Sequence, residues 1–149
     1  MTRGLLLVAT LAACRSPTAP GASLAGDYAL LAFDGRAVPH VVIADTVGTT
    51  TLASGTLTLH HTGIFSEVTV QVLRYAPAVA ARAGVDGYTL TVTRQGTWSV
   101  RGRRLAFRLG DGTGWDGTVT ARDVRYAAAG QLFHWAPRIA AIFSTEKTL

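Results

Sequence analysis

Tyr88-Thr89-Leu90-Thr91-Val92-Thr93 alternates an apolar or aromatic side chain with a threonine at every step. Strict period-2 alternation rich in aromatic and β-branched residues is the pattern of a half-buried strand. The same rhythm extends along most of the chain. Upstream lie Asp27 to Phe33, a stretch around Val41 to Thr51, Gly55 to His60, and Ile64 to Tyr75. Within these, Leu57 and Leu59 are expected inward and His60 outward, while Val68, Val70 and Val72 share one face. Downstream lie Thr97 to Arg101, Arg104 to Leu109, Trp115 to Thr120, Asp123 to Tyr126, and Gln131 to Trp135. Trp98 pairs in phase with Val100, and Leu105 with Phe107 and Leu109. One segment breaks the rhythm: Tyr75 to Gly84, with Pro77 near its start, five alanines, and Gly84 at its end. Pro just inside a helix start and Gly just past its end are the expected asymmetry. A short helix or a surface crossover fits there.

Links of hairpin length cannot join parallel strands, which need crossovers of about a dozen residues or more. The expected fold is therefore all-β, an antiparallel up-and-down barrel of about eight to ten strands. A two-layer β-sandwich is the alternative. A closed barrel has no free strand edges to template association.

The N-terminus is of a different kind. Arg3, then Leu5-Leu6-Leu7-Val8-Ala9-Thr10-Leu11, then Ala12-Ala13 follow the charged, apolar and small-residue order of a secretory signal. The apolar run is well short of the roughly 20 residues that span a bilayer. Leu11-Ala12-Ala13-Cys14 resembles the lipobox of bacterial lipoproteins. That resemblance implies cleavage before Cys14 and attachment of diacylglycerol to its thiol. A chance cysteine, with cleavage elsewhere, is the competing reading. Cys14 is the sole cysteine of the chain. Arg15 to Ser23 is rich in Pro and small residues, the composition of an extended tether. In the lipoprotein pattern an Asp after the cysteine favours the inner membrane. Arg15 stands there, so the resemblance implies an outer-membrane anchor facing the periplasm.

The expected organisation is a signal peptide over 1–13, a tether over 14–23, a β-barrel over 24–136 and a tail over 137–149. Without Arg3, 13 basic face 9 acidic side chains, a net charge of +4. An exported, anchored chain of this charge could meet anionic headgroups, but nucleic acid is not an expected partner.

From Gly26-Asp27-Tyr28 and Asp34-Gly35-Arg36 the body is similar to small lipocalin-like bacterial envelope lipoproteins. The matching elements continue through Ser54-Gly55-Thr56-Leu57-Thr58-Leu59, Gly63-Ile64-Phe65-Ser66 and Gly96-Thr97-Trp98. Where lipocalins carry a tryptophan near the first strand, this chain has Tyr28. The resemblance implies a calycin-like barrel around residues 24 to 135.

Candidate chemistry is sparse. His60 and His61 are adjacent and point to opposite faces of a strand, so they cannot chelate one metal together. No metal site or cofactor is expected. Asp111 and Asp116 sit in Gly110-Asp111-Gly112-Thr113-Gly114-Trp115-Asp116-Gly117 and could offer oxygens to calcium. Gly and Asp are also what a tight hairpin requires, and that is the expected role. There is no Gly-x-Ser-x-Gly nucleophile elbow, and no catalytic residue is assigned. Glu67 is read as a lone strand carboxylate. Tyr28, Phe33, Tyr88, Trp98, Phe107, Trp115, Phe133 and Trp135 could either fill a small barrel or line a pocket. Two functional expectations follow. In one, a small apolar or amphipathic ligand binds inside, against Leu90, Trp98 and Phe107. In the other, the outer surface acts on an envelope protein partner, as an assembly factor or inhibitor.

Overall fold

The computed structural model describes residues 24–120 and 123–138, and the expectations for Cys14, the tether and residues 139–149 lie outside them. Ten strands and one helix form in the order β1 (Gly26–Phe33), β2 (Arg36–Ala37), β3 (His40–Ala44), β4 (Gly48–Leu59), β5 (Ile64–Tyr75), α1 (Pro77–Ala83), β6 (Gly87–Arg101), β7 (Arg104–Leu109), β8 (Gly114–Thr120), β9 (Asp123–Ala128) and β10 (Gln131–Pro137). Every pairing is antiparallel. β1 bonds to both β10 and β4, which closes an eight-stranded up-and-down barrel from β1 and β4 through β10. The sandwich alternative is excluded by that closure. β2 and β3 are short additions on β1 and β4.

Two segmentations differ from the sequence expectation. The stretch around Val41 to Thr51 is not one strand: Asp45 accepts the N–H groups of Val47 and Gly48 and turns the chain, so Gly48 to Thr51 begin β4. Tyr88–Thr93 and Thr97–Arg101 are one 15-residue strand, because Gly96 continues the ladder instead of breaking it. The alanine-rich segment does form a helix, with Pro77 at its start and Gly84 left-handed at φ 71°. No residue of α1 is buried, so the helix stands beside the β5–β6 lip and does not plug the barrel.

The interior is aromatic. Phe65, Phe107, Tyr126 and Trp135 are almost wholly buried, with Leu57, Leu59, Leu105 and Val124 around them. Phe107 stacks on Trp115 with ring centroids 5.7 Å apart, and Tyr126 stacks on Phe133 at 5.1 Å. Offset and edge-on ring pairs of this kind add about 0.5–1.5 kcal/mol each beyond the area they bury. Room for such rings comes from strand glycines. A Cβ on Gly55 would lie 3.1 Å from the Trp135 ring, and one on Gly96 would lie 2.9 Å from the Phe65 ring.

Strand directions define two ends. Gly26 pairs with Leu59, and Arg138 donates its N–H to the Asp27 carbonyl, so the first and last described residues lie at the end holding the His60–Gly63 turn. At the opposite end, β4, β5 and β6 run on as a lip with β3.

Candidate functional site

The register of β4, β5 and β6 stacks inward-facing residues in rows. Leu57, Glu67 and Arg94 form one row, and Gly55, Thr69 and Val92 the next. Above them come Leu52, Gln71 and Leu90, then Thr50, Leu73 and Tyr88. In the Glu67 row a carboxylate takes an interior position within the apolar core, which continues above it on β4 as far as Leu52.

Glu67 is 1 % exposed, and two groups satisfy it. Tyr126 donates its hydroxyl to Oε2, and Arg94 Nη1 donates to Oε1 at 2.9 Å. Burial pushes the Glu67 carboxyl above its ordinary value of 4.5, against the opposing pull of Tyr126 and Arg94. Burial, with the Glu67 charge beside it, raises the Tyr126 phenol well above 10.0. The Trp135 indole N–H lies toward the Tyr126 hydroxyl without reaching hydrogen-bond geometry, and the buried Trp115 N–H has no acceptor among the described residues. The Arg94 guanidinium lies over the Trp115 ring at 5.9 Å, a cation–π contact.

Arg94 is the hinge between core and solvent. Its side chain is 34 % exposed on the side away from Glu67. Above it opens a cavity of about 180 Å³, lined by apolar Phe33, Val42, Leu52 and Phe133 and by polar Thr69, Gln71 and Gln131. For scale, a dry engineered cavity of about 150 Å³ accepts benzene. This mouth is at the end of the barrel away from Gly26 and Arg138.

The wall residues expected from the sequence do not converge here. Phe107 is fully buried in the ring stack, and Trp98 lies at the lower end with its indole N–H donating to the His60 carbonyl at 3.0 Å. Leu90 stands toward the other end of the same strand. It is on the inner face of β6, but the barrel has ended at its row, and it is 45 % exposed. Leu90 and Trp98 are eight residues apart along one strand, roughly 26 Å. None of the three lines the mouth. Tyr88, grouped with the interior aromatics in the sequence, is also an exposed lip residue that packs edge-on against Tyr75. In β5, Val68, Val70 and Val72 share a face as expected, and the buried face is the other one, that of Phe65, Glu67 and Thr69.

The other expected features are ordinary surface. His60 and His61 are exposed, and His134 contacts Asp123 at 2.9 Å. No cluster of metal-ligating side chains occurs among the described residues. Asp111 accepts both the N–H and the hydroxyl of Thr113, which holds its carboxyl below the ordinary 3.8 and closes a hairpin turn. Asp116 pairs with Arg108 at 3.1 Å on the surface. No family model, curated protein or solved structure matches the chain.

Sequence reading missed Arg94, and it missed what Glu67 does. A signal was available in β6, where Val92, Arg94, Gly96 and Trp98 share one parity. A charge on the face that otherwise carries Trp98 and Val92 marks a break in the core.

Proposed function

We propose that this is a lipid-anchored cell-envelope lipoprotein whose lipocalin-like barrel receives a small amphipathic ligand at its mouth. The observation that carries the ligand reading is the 180 Å³ cavity, whose walls combine apolar side chains with the Arg94 guanidinium. Pockets with mainly apolar walls and a few placed polar groups are the usual form of small-molecule sites. The packed rings below exclude a deep ligand, so binding is confined to the open end. The anchor reading rests on Cys14 and the leader before it. More than one acyl chain on Cys14 makes attachment lasting, since each buried methylene contributes about 0.8 kcal/mol. A tether joined to the barrel near Leu24 would present the mouth away from the bilayer.

Calorimetric titration with 3-phenylpropanol, a neutral single-ring amphiphile, tests the ligand reading. Saturable binding near one per chain, lost in a folded Val92→Trp variant that fills the cavity, is the expected result. No saturable binding, with an envelope protein recovered by crosslinking, would favour action through the outer surface. Mass spectrometry of the native protein tests the anchor: Cys14 should carry lipid, and an unmodified thiol would refute it.

A further inference from the structure

The geometry points to a small carboxylate as the ligand of the mouth, its charged head on Arg94 and its compact apolar body against Phe33, Leu52 and Phe133. This deepens the proposed ligand reading and depends on it. Of the Arg94 N–H groups, one is committed to Glu67 at 2.9 Å, and the others have no acceptor among the described residues. They face a cavity whose other polar liners, Thr69, Gln71 and Gln131, are uncharged. No acidic side chain lines that cavity. A guanidinium offers its donors in a planar fork that matches a carboxylate, and such charge-assisted pairs are roughly twice as strong as neutral hydrogen bonds. The cation is also held in place before any ligand arrives, by Glu67 below and the Trp115 face beside it. A pre-positioned donor spends less ordering free energy on binding.

Glu67 and the ligand would then share one cation. Glu67 is the standing counter-anion, and an arriving carboxylate competes with it for the same positive charge. Removing the Glu67 charge while keeping its shape therefore strengthens the site. A neutral or cationic ligand would show the opposite or no response.

Calorimetry with 3-phenylpropanoate and its isosteric amide, 3-phenylpropanamide, at pH 7.5 separates the outcomes. The carboxylate is expected to bind near one per chain and about tenfold or more tighter than the amide, the scale of one charge-assisted hydrogen bond. Glu67→Gln should tighten the carboxylate several-fold and leave the amide unchanged. Arg94→Met alone would strand a buried carboxylate, so the double variant Glu67→Gln/Arg94→Gln carries the loss arm. With its fold checked by circular dichroism, it should bind the two probes equally. Equal binding of both probes by the unaltered protein would overturn the carboxylate assignment and leave the ligand reading standing. Binding of neither probe would overturn both.

Discussion

The lower barrel and the lip are built from the same strands, β4, β5 and β6, yet they obey different rules. In and below the Glu67 row the inward side chains are packed, and Phe65, Leu57 and Phe107 are fully buried. Two and three rows above it the same inward parity of β6 carries Leu90 and Tyr88 into open space, where they are about half exposed, while Leu52 on β4 stays buried. Period-2 patterning specifies which face a residue belongs to, but not whether another sheet stands opposite it. Burial comes from closure, and β7 to β10 are too short to close the barrel along the full length of β5 and β6. The boundary between the two regimes is marked by the Glu67–Arg94–Tyr126 cluster, and that is where the cavity opens.

The largest expected break of this contrast is between two large apolar side chains. Phe107→Ala should cost about 3–5 kcal/mol of unfolding free energy, the range for emptying a buried aromatic site. Leu90→Ala should fall within about 0.5 kcal/mol of the parent, as exposed substitutions do. Urea unfolding of both variants measures the difference, and similar losses would mean that the lip is packed like the core.

Gly55→Ala tests the packing around Trp135 from the other direction, one row above Glu67. Its new methyl would meet the Trp135 ring and the Leu30 Cβ at 3.1 Å. A loss of about 1–3 kcal/mol is expected from overpacking, visible as a lowered urea midpoint. No loss would show that Trp135 has space to retreat.

The boundary cluster should reveal itself through pH. Glu67 has a folded-state pKa raised above the ordinary 4.5, so the folded state holds its proton more tightly than the unfolded chain. Its contribution to stability is fully present below about pH 4.5 and is lost as pH rises through the elevated folded value. Arg94 and Tyr126 are the groups bonded to it, and the Tyr126 phenol, raised well above 10.0, stays neutral in that window. Stability of the parent minus that of Glu67→Gln should therefore fall with rising pH above 4.5 and then level off. Asp111 acts in the opposite sense and in a separate window, since its lowered pKa adds stability above about 3.8 that is lost on acidification. A flat difference curve would show that the Glu67 carboxylate is not desolvated.

The smallest effect belongs to the surface pair Arg108–Asp116, half exposed on both sides. Asp116→Asn should cost no more than about 1 kcal/mol and less in high salt. A larger cost would give the 110–117 loop a role beyond its turn.

How much of this was legible in the sequence depends on the residue. Leu57, Leu59, Leu105 and Phe107 were read correctly as inward, because alternation with Thr, Ala and Arg leaves one parity for the core. The turn at Asp111 and the helix bounded by Pro77 and Gly84 were legible from local stereochemistry. In β5 the shared face of the valines was legible but not which face is buried, because β-branched residues suit a pleated surface whether or not it is buried. The inward Glu67 is tolerable only because Arg94 and Tyr126 meet it, and these partners lie 27 and 59 positions away. Cross-strand register supplies that information, and a local pattern does not. Leu90 is exposed for the related reason that the height of the barrel is set by the shorter strands across from it. The mouth was thus invisible as a unit: Phe33, Leu52, Thr69, Arg94 and Gln131 belong to five strands and share no motif.

The most direct test of the account is a two-dimensional NMR titration of the protein with 3-phenylpropanoate, following backbone amides and arginine Nε–H signals together. The account predicts saturable shifts at Arg94 Nε, Thr69, Gln71 and Gln131, with Trp98 and Phe107 unmoved. Shifts centred on Trp98 and Phe107, with Arg94 unchanged, would contradict it and put the ligand site in the lower barrel.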